Sequence, residues 1–141
     1  MAMERAQRFV QALTRLEESG DVEPLLALFA EDAQVSNVVA LRTFRGREGA
    51  RQFWTEYKRI LRGVRSTFRN LIEAGDRVAL EWESRGTAAS GVAVDYEGVS
   101  ILEWDGEHIS RFYAYFDPRA LGHELSENSA RRSEVPATAP A

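Results

Sequence analysis

The chain of 141 residues contains no cysteine. Disulfides, thiolate catalysis, zinc ribbons and iron–sulfur clusters are therefore excluded. No apolar run approaches the ~18 residues needed to span a bilayer, so no membrane partner is expected. The first nine residues, MAMERAQRF, hold no apolar signal core, and a cytoplasmic location is expected. No glycine-rich, lysine-ending nucleotide loop is present, and no internal repeat. An overall basic balance is also missing. The net charge is −4, where a nucleic-acid binder is usually basic, so no nucleic-acid partner is expected.

What is there reads as one globular domain. Hydrophobic residues make up 44% and charged residues 28%, near the usual proportions of roughly 45–50% and 25%. A chain of this size buries about 68–70% of its unfolded surface, enough for a core without covalent staples. Charge is unevenly spread. Nine basic residues between Arg42 and Arg69 face only Glu48 and Glu56, a local charge of +7 that leaves −11 elsewhere. This stretch reads either as a patch steering an acidic partner or as solvated faces paired with acidic neighbours. No aromatic platform interleaves with the arginines, which favours the second.

Hydrophobic spacing gives the elements. Ala6, Phe9, Val10, Leu13 and Leu16 mark a helix over 4–18. Asp21 caps a short second helix that carries Pro24 in its first turn. Residues 33–40 read as a strand. Ala50, Phe53, Trp54, Tyr57, Ile60 and Leu61 form one stripe on a helix over 47–62, stopped by Gly63. The period then changes from 3.6 to 2. Strands are predicted over 64–73, 77–87, 92–104 and 107–116, joined by Gly75-Asp76, Ser90-Gly91 and Asp105-Gly106. Asp105-Gly106 is a strong hairpin signal, because both positions tolerate positive φ. A helical turn begins at Asp117-Pro118. From Ser126 onward large apolar residues are lost except Val135. The division expected is a domain over 1–122 and a flexible C-terminal tail over 123–141.

Helix, helix, strand, long helix and a four-strand meander make an α+β order. Its punctuation resembles the nuclear transport factor 2-like superfamily, and within it the SnoaL-like group. The matching pieces are Gly20-Asp21, Phe29-Ala30-Glu31-Asp32-Ala33, and Phe44-Arg45-Gly46-Arg47-Glu48-Gly49. Gly75-Asp76-Arg77-Val78, Asp105-Gly106-Glu107-His108-Ile109 and Tyr113-Ala114-Tyr115-Phe116-Asp117 complete the set, over roughly residues 5–122. The resemblance implies a cone-shaped, cystatin-like α+β barrel. Three N-terminal helices would pack on a curved, mostly antiparallel sheet around a cavity. It does not fix a function, since the superfamily holds isomerases, cyclases, dehydratases, hydrolases and non-enzymes.

Strand alternation gives the expected lining. Val35, Asn37 and Val39 share a face, as do Val78, Leu80, Trp82 and Ser84. Val94, Tyr96, Ser100, Leu102 and Trp104 form another set, and His108, Ser110, Phe112, Ala114 and Phe116 a fourth. Phe68, Asn70 and Ile72 are expected inward, with Trp54 and Tyr57 entering from the helix. Expected ligand-binding residues are Asn37, Trp54, Tyr57, Asn70, Trp82, Tyr96, Ser100 and Phe112. Such a site is mostly apolar with a few orienting polar groups. A small apolar molecule bearing a carbonyl or hydroxyl is the partner it implies.

Catalytic candidates are sparse. Glu81 and Glu83 are predicted outward unless a β-bulge flips them, so the inward set has no carboxylate. Ketosteroid isomerase, which the fold resembles, needs a carboxylate base, a protonated acid and a tyrosine. Those positions fall on Asn37, Ser100 and Leu13. Of the limonene epoxide hydrolase set, the asparagine matches Asn37. Val35 stands at its tyrosine position, and Trp82, Ser84 and Ala114 at its charged ones. His108, beside a turn, could act as a general base near neutral pH or simply be exposed. Asn37 could bind a ligand carbonyl or satisfy strand-end backbone groups. His123 with Glu124 and Glu127 lacks a second histidine at helical spacing, so no metal is expected. No organic cofactor is expected either. The reading is a small-molecule-binding protein. It extends either to a cofactor-independent isomerase, cyclase or hydrolase, or, as the alternative, to a non-catalytic ligand-binding or interaction module. Ala79, Val99, Ile101, Ile109, Tyr113 and Tyr115 make the other sheet face apolar, which implies a homodimer through the sheet.

Overall fold

The computed structural model describes residues 3–121. Helix α1 (Glu4–Ser19) buries Ala6, Phe9, Leu13 and Leu16 of the stripe its spacing predicts, leaves Val10 half-buried, and buries Ala12 and Glu17 as well. It stops where Gly20 turns left-handed and its N–H donates to the Leu16 carbonyl. Helix α2 (Glu23–Leu26) is a single turn. Asp21 Oδ1 accepts the Glu23 N–H at 3.1 Å just ahead of it. Helix α3 (Gly46–Ile60) buries Gly49, Ala50, Phe53 and Trp54.

Six strands follow or interleave: β1 (Phe29–Asn37), β2 (Phe44–Arg45), β3 (Gly63–Ala74), β4 (Arg77–Thr87), β5 (Ala93–Asp105) and β6 (His108–Phe116). They form one sheet in the order β2-β1-β6-β5-β4-β3. Strands β3 to β6 are the antiparallel meander that the turn residues predict. Strand β1 runs parallel to β6, and β2 pairs antiparallel with β1. A 3-10 turn, Pro118–Leu121, ends the described residues. The fold is thus α+β, three helices on a mostly antiparallel sheet. Helix α3 packs on β1 and α1 on β3. Between helices and sheet lies a core that includes Phe9, Leu16, Phe29, Trp54, Leu80, Leu102 and Ile109, each at most 2% exposed.

Several expectations need correction. Strand β1 starts at Phe29 rather than 33 and ends at Asn37 rather than 40. Val39 and Ala40 leave it because their N–H groups bond to Asn37 Oδ1 at 3.0 and 2.9 Å. Strand β2, two residues long, was not expected at all. On β3 the register shifts between Phe68 and Asn70. One extra residue reverses the side-chain parity, so Leu71 is half-buried while Asn70 and Ile72 are exposed. On β6 a second shift places Ile109 opposite Trp104 and Arg111 opposite Glu103. Ile109 is therefore buried, and His108 is exposed at the turn.

The arginine-rich stretch runs from the β1–β2 connection through β2 and α3 into β3, and most members are engaged. Arg47 donates to the Phe29 carbonyl, Arg51 pairs with Glu23, and Arg59 with Glu56. Arg69 spans Glu81 and Glu97. No helix among the described residues is long and apolar enough to cross a membrane. The expected tail, 123–141, and the His123, Glu124 and Glu127 group lie outside the described residues.

Candidate functional site

A cavity of about 180 Å³ lies between α1, α3 and the inner sheet face. Its floor and walls are aromatic because α3 projects Phe53, Trp54 and Tyr57 at helical spacing, while β4, β5 and β6 contribute Trp82, Tyr96, Phe112 and Phe116. Trp54 is held by edge-on contacts with Phe53, Tyr57 and Phe112, at centroid separations of 4.9, 5.3 and 5.0 Å. Its indole N–H is buried without a partner among the described residues. Trp82, Tyr96 and Phe116 form a second cluster, with Tyr96 edge-on to both Trp82 and Phe116. Residues 39–41, between β1 and β2, also line the cavity. Leu41 there is 68% exposed, so this connection forms the rim.

The structure brings seven of the expected site residues together around this space: Asn37, Trp54, Tyr57, Trp82, Tyr96, Ser100 and Phe112. Two others lie elsewhere. Asn70 is on the outer face, where its side-chain amide donates to Glu81 Oε1. His108 is exposed and does not line the cavity. Both displacements follow from the register shifts in β3 and β6.

Polar groups of the lining are oriented by their partners. Asn37 Oδ1 is occupied by the backbone of Val39 and Ala40. Its amide N–H₂ has no partner among the described residues, so it is a donor at the rim. Ser100 Oγ accepts the Trp82 indole N–H at 3.0 Å. Its own hydroxyl proton remains available, a second donor.

Sequence reasoning missed the deepest polar feature. Glu17, on α1, is 3% exposed. Its Oε1 accepts the Ser66 N–H at 2.8 Å, and its Oε2 accepts Tyr57 Oη at 2.7 Å and Ser66 Oγ at 2.6 Å. Ser66 Oγ lies 2.7 Å from Ser84 Oγ. Tyr57, Ser66, Ser84 and neighbouring Tyr96 all line the cavity, with Glu17 behind them. Lys58 Nζ donates to the Glu17 carbonyl at 2.6 Å, and Arg65 donates to the same carbonyl. Burial, then the charge of Glu17, pushes the Tyr57 phenol well above its ordinary range. The same two causes raise Tyr96, partly offset by Ser84. Both stay neutral over the physiological range.

Two carboxylates therefore stand near a site expected to have none. Glu56 lines the rim, held by Arg59 through bonds of 3.0 and 2.6 Å. Glu17 lies behind the hydroxyls. Glu81 and Glu83 stay outward, bridged by Arg69. Among the described residues no group of three acidic or histidine side chains could hold a metal ion.

An α+β domain with helices closing an aromatic chamber on a curved meander is a recognisable class. The SnoaL-like domain matches residues 6–112, and the chain belongs to that family. Solved structures of similar fold include TerC co-crystallised with polyporic acid. It is 20% identical with a TM-score of 0.73, over 88% of this chain and 97% of the other. A protein with a ketosteroid isomerase-like fold from Catenulispora acidiphila, in complex with trimethylamine, is 20% identical. Its TM-score is 0.72, over 84% and 92%. A proposed SnoaL-like polyketide cyclase from Jannaschia sp. CCS1 is 16% identical with a TM-score of 0.70, over 85% and 92%. At such identities the likeness concerns the fold alone. No curated protein matches the chain.

Proposed function

We propose that the chain binds a compact, mostly apolar molecule bearing a carbonyl or hydroxyl group. The observation that carries this reading is the chamber itself: aromatic walls with oriented polar groups at Asn37, Ser100, Tyr57 and Tyr96. Solved structures of related fold hold small molecules, polyporic acid in one and trimethylamine in another. The size suits one ring or two fused rings, since a dry cavity of about 150 Å³ accommodates benzene.

Binding without catalysis is the simpler form. Among the described residues no strand carboxylate lines the chamber, and the acceptor sites of Glu17 are taken by Tyr57 and Ser66. A second reading is a cofactor-independent isomerase, cyclase or hydrolase. It is favoured by the same buried carboxylate, because hydroxyls ending on a base can relay a proton. Turnover by the intact chain that vanishes in Glu17→Gln would select it.

The outer sheet face supports a homodimer. Ala79, Ile101 and Tyr113 stand in register across β4, β5 and β6, as do Val99 and Tyr115 on β5 and β6. Tyr115 is 47% exposed. Light scattering at micromolar concentration tests it, and a monomeric mass removes it.

Ligand binding is tested by thermal shift with compact aromatic ketones and alcohols, since a ligand for the folded state raises Tm. A rise is expected that disappears in a folded Ala114→Phe variant, which fills the chamber. Absence of any rise across such a panel would overturn the reading.

A further inference from the structure

We propose that Glu17 fixes the hydrogen-bonding sense of the inner cavity wall, so that this wall selects a phenolic hydroxyl over a carbonyl oxygen. The proposal rests on the binding role above and names the ligand class. A serine or tyrosine hydroxyl has one proton, and an ionised carboxylate only accepts. Tyr57 spends its proton on Glu17 Oε2, and Ser66 does the same. The Ser66–Ser84 contact of 2.7 Å must then be a donation from Ser84 to Ser66. Three hydroxyls that border the cavity thus send their protons toward Glu17 and keep lone pairs for whatever lies in front of them.

A carbonyl oxygen set against Tyr57, Ser66 and Ser84 meets lone pairs, and its lost hydration is not replaced there. A hydroxyl donor is accepted by Tyr57, whose phenol is itself polarised by the bond to a carboxylate. The surrounding rings suit an aromatic body. Any carbonyl on the same ligand is better served at Asn37 and Ser100, where free donors stand. The wall is therefore the reverse of one built to donate to an oxyanion.

The test is calorimetric titration of the full chain with 2-naphthol, 2-methylnaphthalene and 2-naphthaldehyde, near-matched in shape. 2-Naphthol is expected to bind about tenfold tighter than 2-methylnaphthalene, and 2-naphthaldehyde, whose oxygen must turn to Asn37 and Ser100, is expected to be unaffected by Tyr57→Phe. In Tyr57→Phe that advantage falls toward parity, while 2-methylnaphthalene keeps its affinity. In Glu17→Gln an amide N–H₂ takes the place of Oε2, which accepted from both Tyr57 and Ser66, so both hydroxyls must turn and a proton is offered to the cavity. 2-Naphthaldehyde then gains on 2-naphthol. Equal affinities for the three compounds on the unaltered chain would overturn the proposal while leaving the binding role intact. So would an undiminished 2-naphthol advantage in Tyr57→Phe. If none of the three binds, the binding role fails and the proposal with it. Should Glu17→Gln not fold, the unaltered chain and Tyr57→Phe decide.

Discussion

Glu17 illustrates how one residue can organise a site without touching its contents. Its carboxylate satisfies two hydroxyls and a backbone N–H in a region shielded from water. Removing one partner of such a cluster strands the others. Glu17→Leu is expected to cost about 3 kcal/mol or more in urea unfolding, with the loss appearing in the midpoint rather than the slope. The signal for Glu17 was present in the sequence. It lies four residues beyond Leu13 and seven beyond Val10, on the apolar stripe of α1, where a charge needs a partner. What could not be read was the partner, because Ser66 is 49 residues away on a strand. Asn37, by contrast, was legible as a polar residue on an inward face, and both of its alternative roles remain compatible with its bonds. Its oxygen serves the strand end while its nitrogen faces none of the described residues.

Among the elements, the hairpins were the most legible and the bulges the least. The turns are Gly75-Asp76 and Gly106-Glu107, one residue later than expected for the second, each with its glycine at positive φ, +60° and +62°. A bulge has no such mark. It adds one residue and exchanges the two faces of everything beyond it, which is how Asn70 and His108 left the cavity. Strand β2 escaped for a different reason: two residues carry no period. The α3 stripe survived because helical spacing does not depend on a distant register. Sheet spacing also makes a local demand at Gly98 on β5. A Cβ there would lie 2.7 Å from the Trp82 ring and closer still to the Tyr115 carbonyl. Gly98→Ala should destabilise by about 1–3 kcal/mol. It should also shift Trp82, which bonds to Ser100, and so weaken ligand response in the thermal-shift assay.

For the whole molecule, the buried phenols tie stability to pH. Tyr57 and Tyr96 hold their protons more tightly folded than unfolded. The folded state therefore binds more protons once the solution passes the ordinary tyrosine value of about 10. Stability from this source is complete below that pH and is lost as pH rises above it. Tm should be level across neutral pH and fall beyond about pH 10. Tyr57→Phe and Tyr96→Phe should each flatten that decline, and a decline unchanged in both variants would sink this account. Connectivity has a separate consequence. Strand β1 finds its parallel partner only in β6, the last strand of the chain. While the protein is being synthesised, its first sixty residues emerge with only the two-residue β2 for β1 to pair with. The parallel edge of β1 therefore stays unpaired until β6 has been made, so closing the sheet depends on a long-range contact. A chain ending at residue 107 should accordingly lose the cooperative unfolding transition of the full chain, with β1 left open to protease.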